Sequence, residues 1–341
     1  MGSQTDSPTG HTVTLQPSGH SFRVDEETPL LQAALDAGFS LPYGCRIGAC
    51  GSCKGKVLDG VVDHGAHMDG ALSLVERSEG KALFCCATAR SDLVLECREV
   101  GSAKDIPVRI LPCRVQTLHR AAPDVIVMTL KLPTNERLQF LAGQYIEFML
   151  KDGTRRAFSI ANAPHDDEFL SLHIRHVPGG SFTGHVFEAM KEKEILRFQG
   201  PLGTFFLREE SAKPIILLAG GTGFAPIKAL IEHAIHVGVD RPMHLYWGAR
   251  DLAGLYLPEL PRRWAADHPN IHYVPVLSDE AWDGRGGLVH KAVLEDHPDL
   301  AGFQVYACGA PAMIDAARAD FAVAGLPEDE FFADSFTYAY N

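Results

Sequence analysis

The segments Cys45-Arg-Ile-Gly-Ala-Cys50-Gly-Ser-Cys53 and Leu83-Phe84-Cys85-Cys86-Ala87 decide how the first third of this chain folds. They hold five of its eight cysteines, and clustering of this kind in a long chain is typical of metal or redox chemistry rather than of disulfides. The interleaved Gly44, Gly48 and Gly51 suit a loop that turns backbone N–H groups toward sulfur. Zinc and unligated core cysteines are the alternatives, although zinc sites usually pair two short C-x2–4-C segments and the second is missing here.

The spacing C-x4-C-x2-C with a fourth cysteine downstream resembles that of plant-type ferredoxins, in which four thiolates hold a 2Fe–2S cluster. In that family the downstream ligand lies in a Leu-x-Cys-x-Ala pattern. The match implies that Cys85 is the ligand and that Cys86 is a packed neighbour. The resemblance therefore implies a β-grasp domain whose metal ligands are Cys45, Cys50, Cys53 and Cys85.

Length and composition limit what the rest of the chain can be. Its 341 residues, 46% hydrophobic and 22% charged, are enough for two or three domains with buried cores. A formal charge of −12 without a basic run argues against a nucleic-acid binder. The longest apolar stretch, Pro214–Gly221, is far shorter than a membrane span, and the polar segment Met1–Gly10 does not look like a signal peptide. We therefore expect a cytoplasmic protein without membrane or nucleic-acid partners.

The patterns of apolar and polar residues divide the chain into three parts, so the expected fold class is multi-domain α+β. Residues 11–100 combine short alternating runs, one helical stretch and the cysteine loop. After a polar linker, residues 106–208 contain short strands rich in β-branched and aromatic residues, which predicts a six-stranded antiparallel β-barrel. Residues 212–341 alternate apolar strands with amphipathic helices, which predicts a parallel α/β sheet covered on both faces.

A strand motif in the middle part points to a flavin. Arg156-Ala-Phe158-Ser159 resembles the Arg-x-Tyr-Ser motif of the ferredoxin-NADP reductase family. The resemblance implies that Arg156 meets the flavin phosphate, that Phe158 packs on the ring system and that Ser159 lies by the reactive N5. Phenylalanine in place of tyrosine removes one hydrogen bond. An ordinary surface strand is the alternative.

A glycine-rich turn some twenty residues later supports the same interpretation. Gly180, Ser181 and Thr183 open a helix, and free N–H groups at a helix N-terminus suit a diphosphate, so the bound flavin is expected to be FAD. An N-cap formed by Ser181 is the alternative. On the preceding strand, we expect His173 and Arg175 to contact the flavin mainly through their backbone.

The last part contains a second phosphate-binding pattern. Gly220-Gly221-Thr222-Gly223-Phe-Ala-Pro226 lies between an apolar strand and an apolar-faced helix. It lacks the third glycine of the dinucleotide fingerprint and resembles instead the nicotinamide domain of the reductase family. In that family a Cys-Gly pair lies near the site of hydride transfer. The resemblance thus implies that the pyrophosphate of the nicotinamide cofactor is supported by Gly221, Thr222, Gly223 and Pro226, and that Cys308 and Gly309 lie near the site of hydride transfer. A tight structural turn is the alternative for the loop.

The C-terminal residues Asp334-Ser335-Phe336 resemble the acid-x-aromatic ending of related reductases, which approaches the flavin. Phe336, with Ser159 and Cys308, is therefore implied to be catalytic. Tyr338 and Tyr340 follow, so the choice of the aromatic side chain that covers the ring stays open.

The residues that follow one strand of the last part indicate which nicotinamide cofactor is preferred. Relatives that prefer NADPH present cations there, whereas this chain has Ser278-Asp279-Glu280. Carboxylates would repel the 2′-phosphate, and Asp279 could accept hydrogen bonds from a ribose hydroxyl, so we expect NADH. NADPH stays the alternative, because Arg250 is a cation that could pair with the 2′-phosphate.

The order of these parts resembles that of the reductase components of bacterial oxygenase systems and of CDP-6-deoxy-glucoseen reductase, over nearly all of residues 11–336. The resemblance implies a 2Fe–2S cluster, FAD and NADH as cofactors, with electrons arriving in pairs and leaving singly. The implied acceptor is a terminal oxygenase or its ferredoxin-accepting component, first of all a Rieske aromatic-ring dioxygenase. A diiron monooxygenase and a CDP-sugar dehydrase are alternatives, and a non-enzymatic iron–sulfur or flavin carrier is the alternative from another class. We expect the chain to be a monomer on its own.

Overall fold

The computed structural model describes residues 10–97, 99–100 and 106–336, and the chain falls into two units, Met1–Asp105 and Ile106–Asn341. Within the described residues no helix is both long enough and apolar enough to cross a membrane.

The first unit is a mixed sheet with a helix packed on it. Its strand order is β2-β1-β7-β3-β5, in which β1 and β7 are parallel and the other pairs antiparallel. Alternation explains the burial, because Val13 and Leu15 of β1 face the core together with Leu30 and Ala34 of α1. The elements are β1 (Gly10–Gln16), β2 (Ser21–Asp25), α1 (Leu30–Asp36), β3 (Lys54–Asp59), β4 (Val62–Asp63), α2 (Leu74–Ser78), β5 (Lys81–Leu83), β6 (Thr88–Ala89) and β7 (Leu93–Glu96).

The second unit begins with an antiparallel barrel of six strands in the order β11-β10-β13-β8-β9-β12. An isolated bridge between Ile160 and Leu172 joins the two outer strands and closes the barrel. Its core is aliphatic and aromatic, as the sequence predicts. The elements are β8 (Arg109–Ala122), β9 (Val125–Lys131), β10 (Tyr145–Met149), β11 (Arg155–Ser159), β12 (Leu170–Arg175), α3 (Ser181–Glu188) and β13 (Ile195–Leu202).

A six-stranded parallel sheet in the order β17-β16-β15-β14-β18-β19 follows. Central strand β14 is buried on both faces, because Leu217 packs under α4 and α5 whereas Leu218 packs under α6 and α7. The elements are β14 (Ile215–Gly220), α4 (Phe224–His236), β15 (Met243–Ala249), α5 (Glu259–Asp267), β16 (Ile271–Leu277), β17 (Arg285–Gly286), α6 (Val289–Asp296), β18 (Gln304–Gly309), α7 (Pro311–Val323) and β19 (Phe331–Ser335).

One hydrophobic core crosses from the barrel to this sheet. Val125 and Phe205 of the barrel side belong to the same cluster as Phe224 and Leu230 of α4. The amine of Lys228 on α4 also donates to the carbonyl of Ala161, 3.0 Å away, at the end of a barrel strand. The barrel and the parallel sheet are therefore held together as one unit.

Candidate functional site

The loop between α1 and β3 carries three of the cysteines and is organised by bonds to sulfur. The Cys45 sulfur accepts from the backbone N–H groups of Ile47 at 3.5 Å and Ala49 at 3.4 Å, and the Cys50 sulfur accepts from the N–H of Cys45 at 3.3 Å. Gly48 has a φ of +72°, which an L side chain rarely adopts. The loop thus turns its N–H groups inward, as the interleaved glycines predict.

The four predicted ligand thiols lie in two pairs. The pKa of the Cys45 thiol is lowered to about 7, first by a hydrogen bond from Cys50, and the pKa of Cys85 is raised to about 12, first by a hydrogen bond with Cys53. Among the described residues no three His, Cys, Asp or Glu side chains are grouped around the position of a single metal ion. Two pairs of sulfur donors with inward N–H groups fit a dinuclear cluster, in which each iron takes two protein ligands.

On the barrel strand β11, the two ends of the Arg156–Ser159 motif lie in different surroundings. Arg156 is half-buried on β11, and Phe158 packs against the barrel aromatics Phe148 and Phe182, with ring centroids 5.9 and 5.5 Å away. Ser159 is buried, and its hydroxyl donates to the carboxylate of Asp334 over 3.3 Å. The barrel strand therefore meets the last strand of the parallel sheet at Ser159.

The glycine-rich turn before α3 leaves its backbone open to an anion. Gly180, not Ser181, is the N-cap residue, and no described side chain caps the helix. The hydroxyl of Thr183 instead braces the turn, since it accepts from the N–H of Val177 at 3.1 Å. The alternative of an N-cap by Ser181 is therefore wrong, and the first N–H groups of α3 suit phosphate oxygens.

His173 and Arg175 on β12 contact the parallel-sheet part with their side chains. The Nδ1 of His173 is hydrogen-bonded to the hydroxyl of Tyr256 at 2.8 Å, and burial lowers the pKa of His173 to about 3, so the ring is neutral. The guanidinium of Arg175 forms an ion pair with Asp124 at 3.2 Å and lies against Gly221, where an added Cβ would come within 2.7 Å of it. Side-chain contacts of this kind go beyond the backbone role expected from the sequence.

The second glycine-rich loop makes one tight turn from β14 into α4. Gly221 has a φ of +53°, and a Cβ on Gly223 would lie 2.1 Å from the carbonyl oxygen of Cys308, so the turn requires glycine at both positions. Thr222 is buried, and Pro226 lies in the first turn of α4. In the described chain no side chain caps this helix either. The exposed N–H groups and the helix dipole favour a phosphate here.

Trp247 supports this loop from beneath. Its indole N–H donates to the carbonyl of Gly221 over 2.9 Å, and its ring stacks on Phe224 at 3.8 Å. Tyr256 packs edge-on against the same indole, 5.2 Å away, and bonds to His173 of the barrel. Neither residue was predicted from the sequence. For Trp247 the available signal was an aromatic side chain near the end of β15, the strand next to β14.

The carboxyl ends of β18 and β19 complete the junction. Cys308 pairs with Asp334 and Gly309 with Ser335 in the parallel ladder, and the N–H of Phe336 donates to the carbonyl of Gly309 over 2.8 Å. Burial raises the pKa of the Cys308 thiol and raises that of Asp334 to about 6. Phe336 packs on the shared core, whereas Tyr338 and Tyr340 lie outside the described residues.

At the predicted ribose site the two carboxylates differ. Glu280 accepts from the N–H of Leu252 at 2.8 Å and thereby holds the neighbouring loop. Asp279 is exposed, and its carboxylate accepts from the hydroxyl of Ser278 at 2.6 Å, while its N–H donates to the carbonyl of Arg250 at 3.0 Å. Asp279 therefore remains the carboxylate that a ribose could reach.

Comparison with known proteins gives three family matches along the chain. Residues 13–90 match the 2Fe-2S iron-sulfur cluster binding domain, residues 112–207 the oxidoreductase FAD-binding domain, and residues 217–319 the oxidoreductase NAD-binding domain. These matches agree with the thiol pairs, the open N-terminus of α3 and the loop before α4.

Relatives with several kinds of partner match over nearly the whole chain. The CDP-6-deoxy-L-threo-D-glycero-4-hexulose-3-dehydrase reductase of Yersinia pseudotuberculosis is 43% identical, over 95% of this chain and 98% of its own length. Reductase component 2 of terephthalate 1,2-dioxygenase from a Comamonas species is 35% identical over 96% and 97%. The reductase component of phenol 2-monooxygenase from a Pseudomonas species is 38% identical over 96% and 94%.

A solved structure agrees with these relatives. The cytochrome P450 reductase GcoB of Amycolatopsis superposes with a TM-score of 0.77 at 34% identity and covers 97% of this chain and 100% of its own. The chain therefore belongs to the family of reductases that join a 2Fe–2S domain to oxidoreductase FAD- and NAD-binding domains, and it is an oxidoreductase that transfers electrons through FAD and the 2Fe–2S cluster.

Proposed function

We propose that this chain takes electrons from NADH and delivers them singly to a separate protein acceptor. One observation carries the proposal: Ser159 of the flavin barrel is bonded to Asp334, which pairs in the parallel sheet with Cys308. The residues implied to flank the flavin and those implied to flank the nicotinamide thus meet at one buried junction. Bound FAD would supply the conversion of a two-electron hydride into single electrons, and a bound 2Fe–2S cluster would supply one-electron transfer to the acceptor.

The residues around this junction bind FAD and the nicotinamide cofactor and fix their orientation. The open N-termini of α3 and α4 hold the phosphates of FAD and of the nicotinamide cofactor, Arg156 adds a cation on the flavin side, and Phe158 offers a ring for packing. The guanidinium of Arg175, against Gly221, adds a positive charge at the second loop. Together with Gly180, Ser181, Thr183, Thr222 and Gly309 these residues form the proposed binding set.

Burial limits both ionisation and access of water at the junction where the flavin and the nicotinamide would meet. Ser159 directs its hydroxyl proton toward the Asp334 carboxylate, and the Cys308 thiol stays protonated because burial opposes ionisation. Ser159, Asp334 and Cys308 are all almost fully buried, so little water competes with the hydride acceptor. Phe336, tied to Gly309, is the aromatic residue that we assign to this face.

The exposed carboxylate of Asp279 favours NADH, because it repels a 2′-phosphate and can accept a hydrogen bond from a ribose hydroxyl.

For the cluster, we assign Cys45 and Cys50 to one iron and Cys53 and Cys85 to the other. The domain limits that go with these sites are residues 11–100, 106–208 and 212–341. The first part has a core of its own, and the barrel and the parallel sheet each have one beside the core that they share.

A terminal oxygenase is the acceptor that we propose first, since the terephthalate and phenol relatives are named as components of such systems. A sugar dehydrase is the second candidate, because the Yersinia relative is named as the reductase of one and is 43% identical. We assign the chain to the cytoplasm, since all eight cysteines are free of disulfides and reduced thiols are typical of that compartment. That the chain is a monomer on its own stays a prediction from the sequence.

Anaerobic mixing with NADH tests the proposal. The purified protein loaded with FAD and cluster should lose its flavin absorbance and then part of its cluster absorbance when NADH is added. Persistence of both colours would contradict the proposed electron source. Reduction of a purified Rieske oxygenase or of a sugar dehydrase by the NADH-reduced protein then distinguishes the two acceptors.

A further inference from the structure

Cys86 is a second thiol beside one of the cluster cysteines. Its sulfur lies 3.6 Å from the sulfur of Cys85, within hydrogen-bond distance for two sulfur atoms. The backbone explains the closeness, because Cys86 and Ala87 both donate to the carbonyl of Leu83, at 3.0 and 2.8 Å, and so form a tight turn after β5. Both thiols are therefore held on the same side of one turn.

Two glycines leave the space that this thiol occupies. A Cβ added to Gly48 of the cluster loop would lie 2.7 Å from the Cys86 sulfur, and one added to Gly65 would lie 2.5 Å from the Cys86 carbonyl oxygen. Cys86 is half-buried between these two backbone segments, whereas Cys85 is buried. The side chain of Cys86 is thus packed beside the cluster loop, in space that a side chain on Gly48 would take.

We propose that the Cys86 S–H donates a hydrogen bond to the Cys85 sulfur and thereby raises the reduction potential of the 2Fe–2S cluster. A ligand thiolate has no proton to give, so only Cys86 can be the donor when Cys85 binds iron. The reduced cluster carries more negative charge on sulfur than the oxidised one, so a donated hydrogen bond stabilises the reduced form more. The inference rests on the proposed assignment of Cys85 as the ligand.

The proposed hydrogen bond would favour electron transfer in one direction, from FAD to the cluster. A cluster of higher potential accepts an electron from reduced flavin more readily, so the thiol favours the step from FAD to the cluster. Cys86 is a positioning residue in this account, because it acts on the cluster only through Cys85.

The test is an anaerobic potentiometric titration of the holoprotein, with dithionite as reductant, that follows the cluster by its EPR signal and FAD by its absorbance. Cys86→Ala and Cys86→Val remove the donor, and the valine variant keeps most of the volume. In both variants the cluster midpoint should move to a more negative potential, while the FAD midpoint stays unchanged. Cys86→Ser keeps a donor and should restore most of the wild-type potential. Cys113→Ala, which removes a buried thiol from the barrel, should leave the midpoint potentials of the cluster and of FAD unchanged.

Equal cluster potentials in the wild-type protein and the alanine and valine variants would overturn the inference. So would a serine variant that falls as far as the alanine variant, since volume or solvent access would then be the cause. Loss of the cluster from the Cys86 variants together with its retention in Cys85→Ser would make Cys86 the ligand and would also overturn it. Because dithionite supplies the electrons, these results do not depend on whether NADH reduces the flavin.

Discussion

Asp334 brings an ionisable carboxyl group into a site from which water is nearly excluded. Burial raises its pKa to about 6 from a usual 3.8. Between those values the folded protein holds a proton that the unfolded chain has lost, so this group lowers the stability of the fold as pH rises from about 4 to about 6, and the loss persists above 6.

Asp334→Asn should therefore unfold at a higher temperature than the wild-type protein at pH 8 and at the same temperature near pH 4. The upper limit of the difference is about 3 kcal/mol, at about 1.4 kcal/mol per pKa unit. Differential scanning calorimetry of the FAD-loaded proteins at both pH values measures it. A difference of equal size at pH 4 and pH 8 would show that ionisation is not its cause.

Trp247 tests how strictly the nicotinamide loop must be held. Trp247→Phe keeps an aromatic ring but leaves the buried carbonyl of Gly221 without its donor, which typically costs about 1–3 kcal/mol. The KM for NADH should rise about tenfold, the equivalent of about 1.4 kcal/mol, with little change in kcat. Trp264→Phe is the matched control, because Trp264 also packs near Phe224. Equal KM values in the two variants would refute a specific role for the indole N–H.

Asp279 tests the assigned cofactor preference. Asp279→Arg replaces an exposed carboxylate by a cation that can pair with a 2′-phosphate, so the ratio of kcat/KM for NADPH over NADH should rise at least about tenfold. Glu280→Gln should leave this ratio unchanged, because Glu280 is committed to the N–H of Leu252. Unchanged selectivity in the arginine variant would remove the electrostatic argument.

At the scale of elements, three imidazoles crowd together where β15, β16 and the end of α6 meet. The ring of His244 lies 4.8 Å from that of His272 and 4.6 Å from that of His297. Burial, and then His297 and His272, lower the pKa of His244 to about 4, and the nearby Asp296 works against this shift. Tyr246 and Arg285 both hydrogen-bond to that carboxylate, and Phe303 packs on the rings.

This cluster predicts a loss of stability in acid. Below about pH 6.5 the unfolded chain binds a proton at His244 that the folded protein does not bind until about pH 4, so stability falls as pH falls through that window. His244→Phe should remove part of this loss. Because the site is partly exposed, the expected gain at pH 4.5 relative to pH 7.5 is about 1 kcal/mol, or roughly 3 °C in Tm. An unchanged difference between variant and wild type at the two pH values would contradict the assignment.

Sequence patterns predicted most elements because their signals are local. Apolar runs such as Ile215–Gly220 and the cysteine spacing depend on neighbours along the chain, and the predicted barrel and parallel sheet are confirmed. The two-residue strands β4, β6 and β17, the three-residue β5 and the short α2 were not predicted, since segments so short show no period.

Contacts between distant segments were less accessible from the sequence. The bond from Trp247 to Gly221 and that between His173 and Tyr256 join residues 26 and 83 positions apart, and nothing in either local sequence specifies the partner. The side-chain reach of Arg175 was missed for the same reason. Asp334 was noticed as part of a terminal motif, but its bond to Ser159 spans 175 positions.

At the scale of the whole molecule, the sites divide between two units. The thiol loop belongs to the first, whereas the proposed FAD and NADH sites share the second, in which one hydrophobic core joins the barrel to the parallel sheet. The proposed hydride transfer can therefore take place within the second unit, whereas the proposed delivery of single electrons to a protein acceptor would use the cluster of the first.

Anaerobic stopped-flow mixing of NADH with the wild-type protein and with Cys50→Ser tests this division most directly, with cytochrome c as a one-electron protein acceptor in a second series. We expect NADH to reduce the flavin at similar rates in both proteins, whereas cluster reduction and cytochrome c reduction should be lost in the variant. Flavin that stays oxidised in the wild-type protein, or cytochrome c reduction by Cys50→Ser at the wild-type rate, would contradict it.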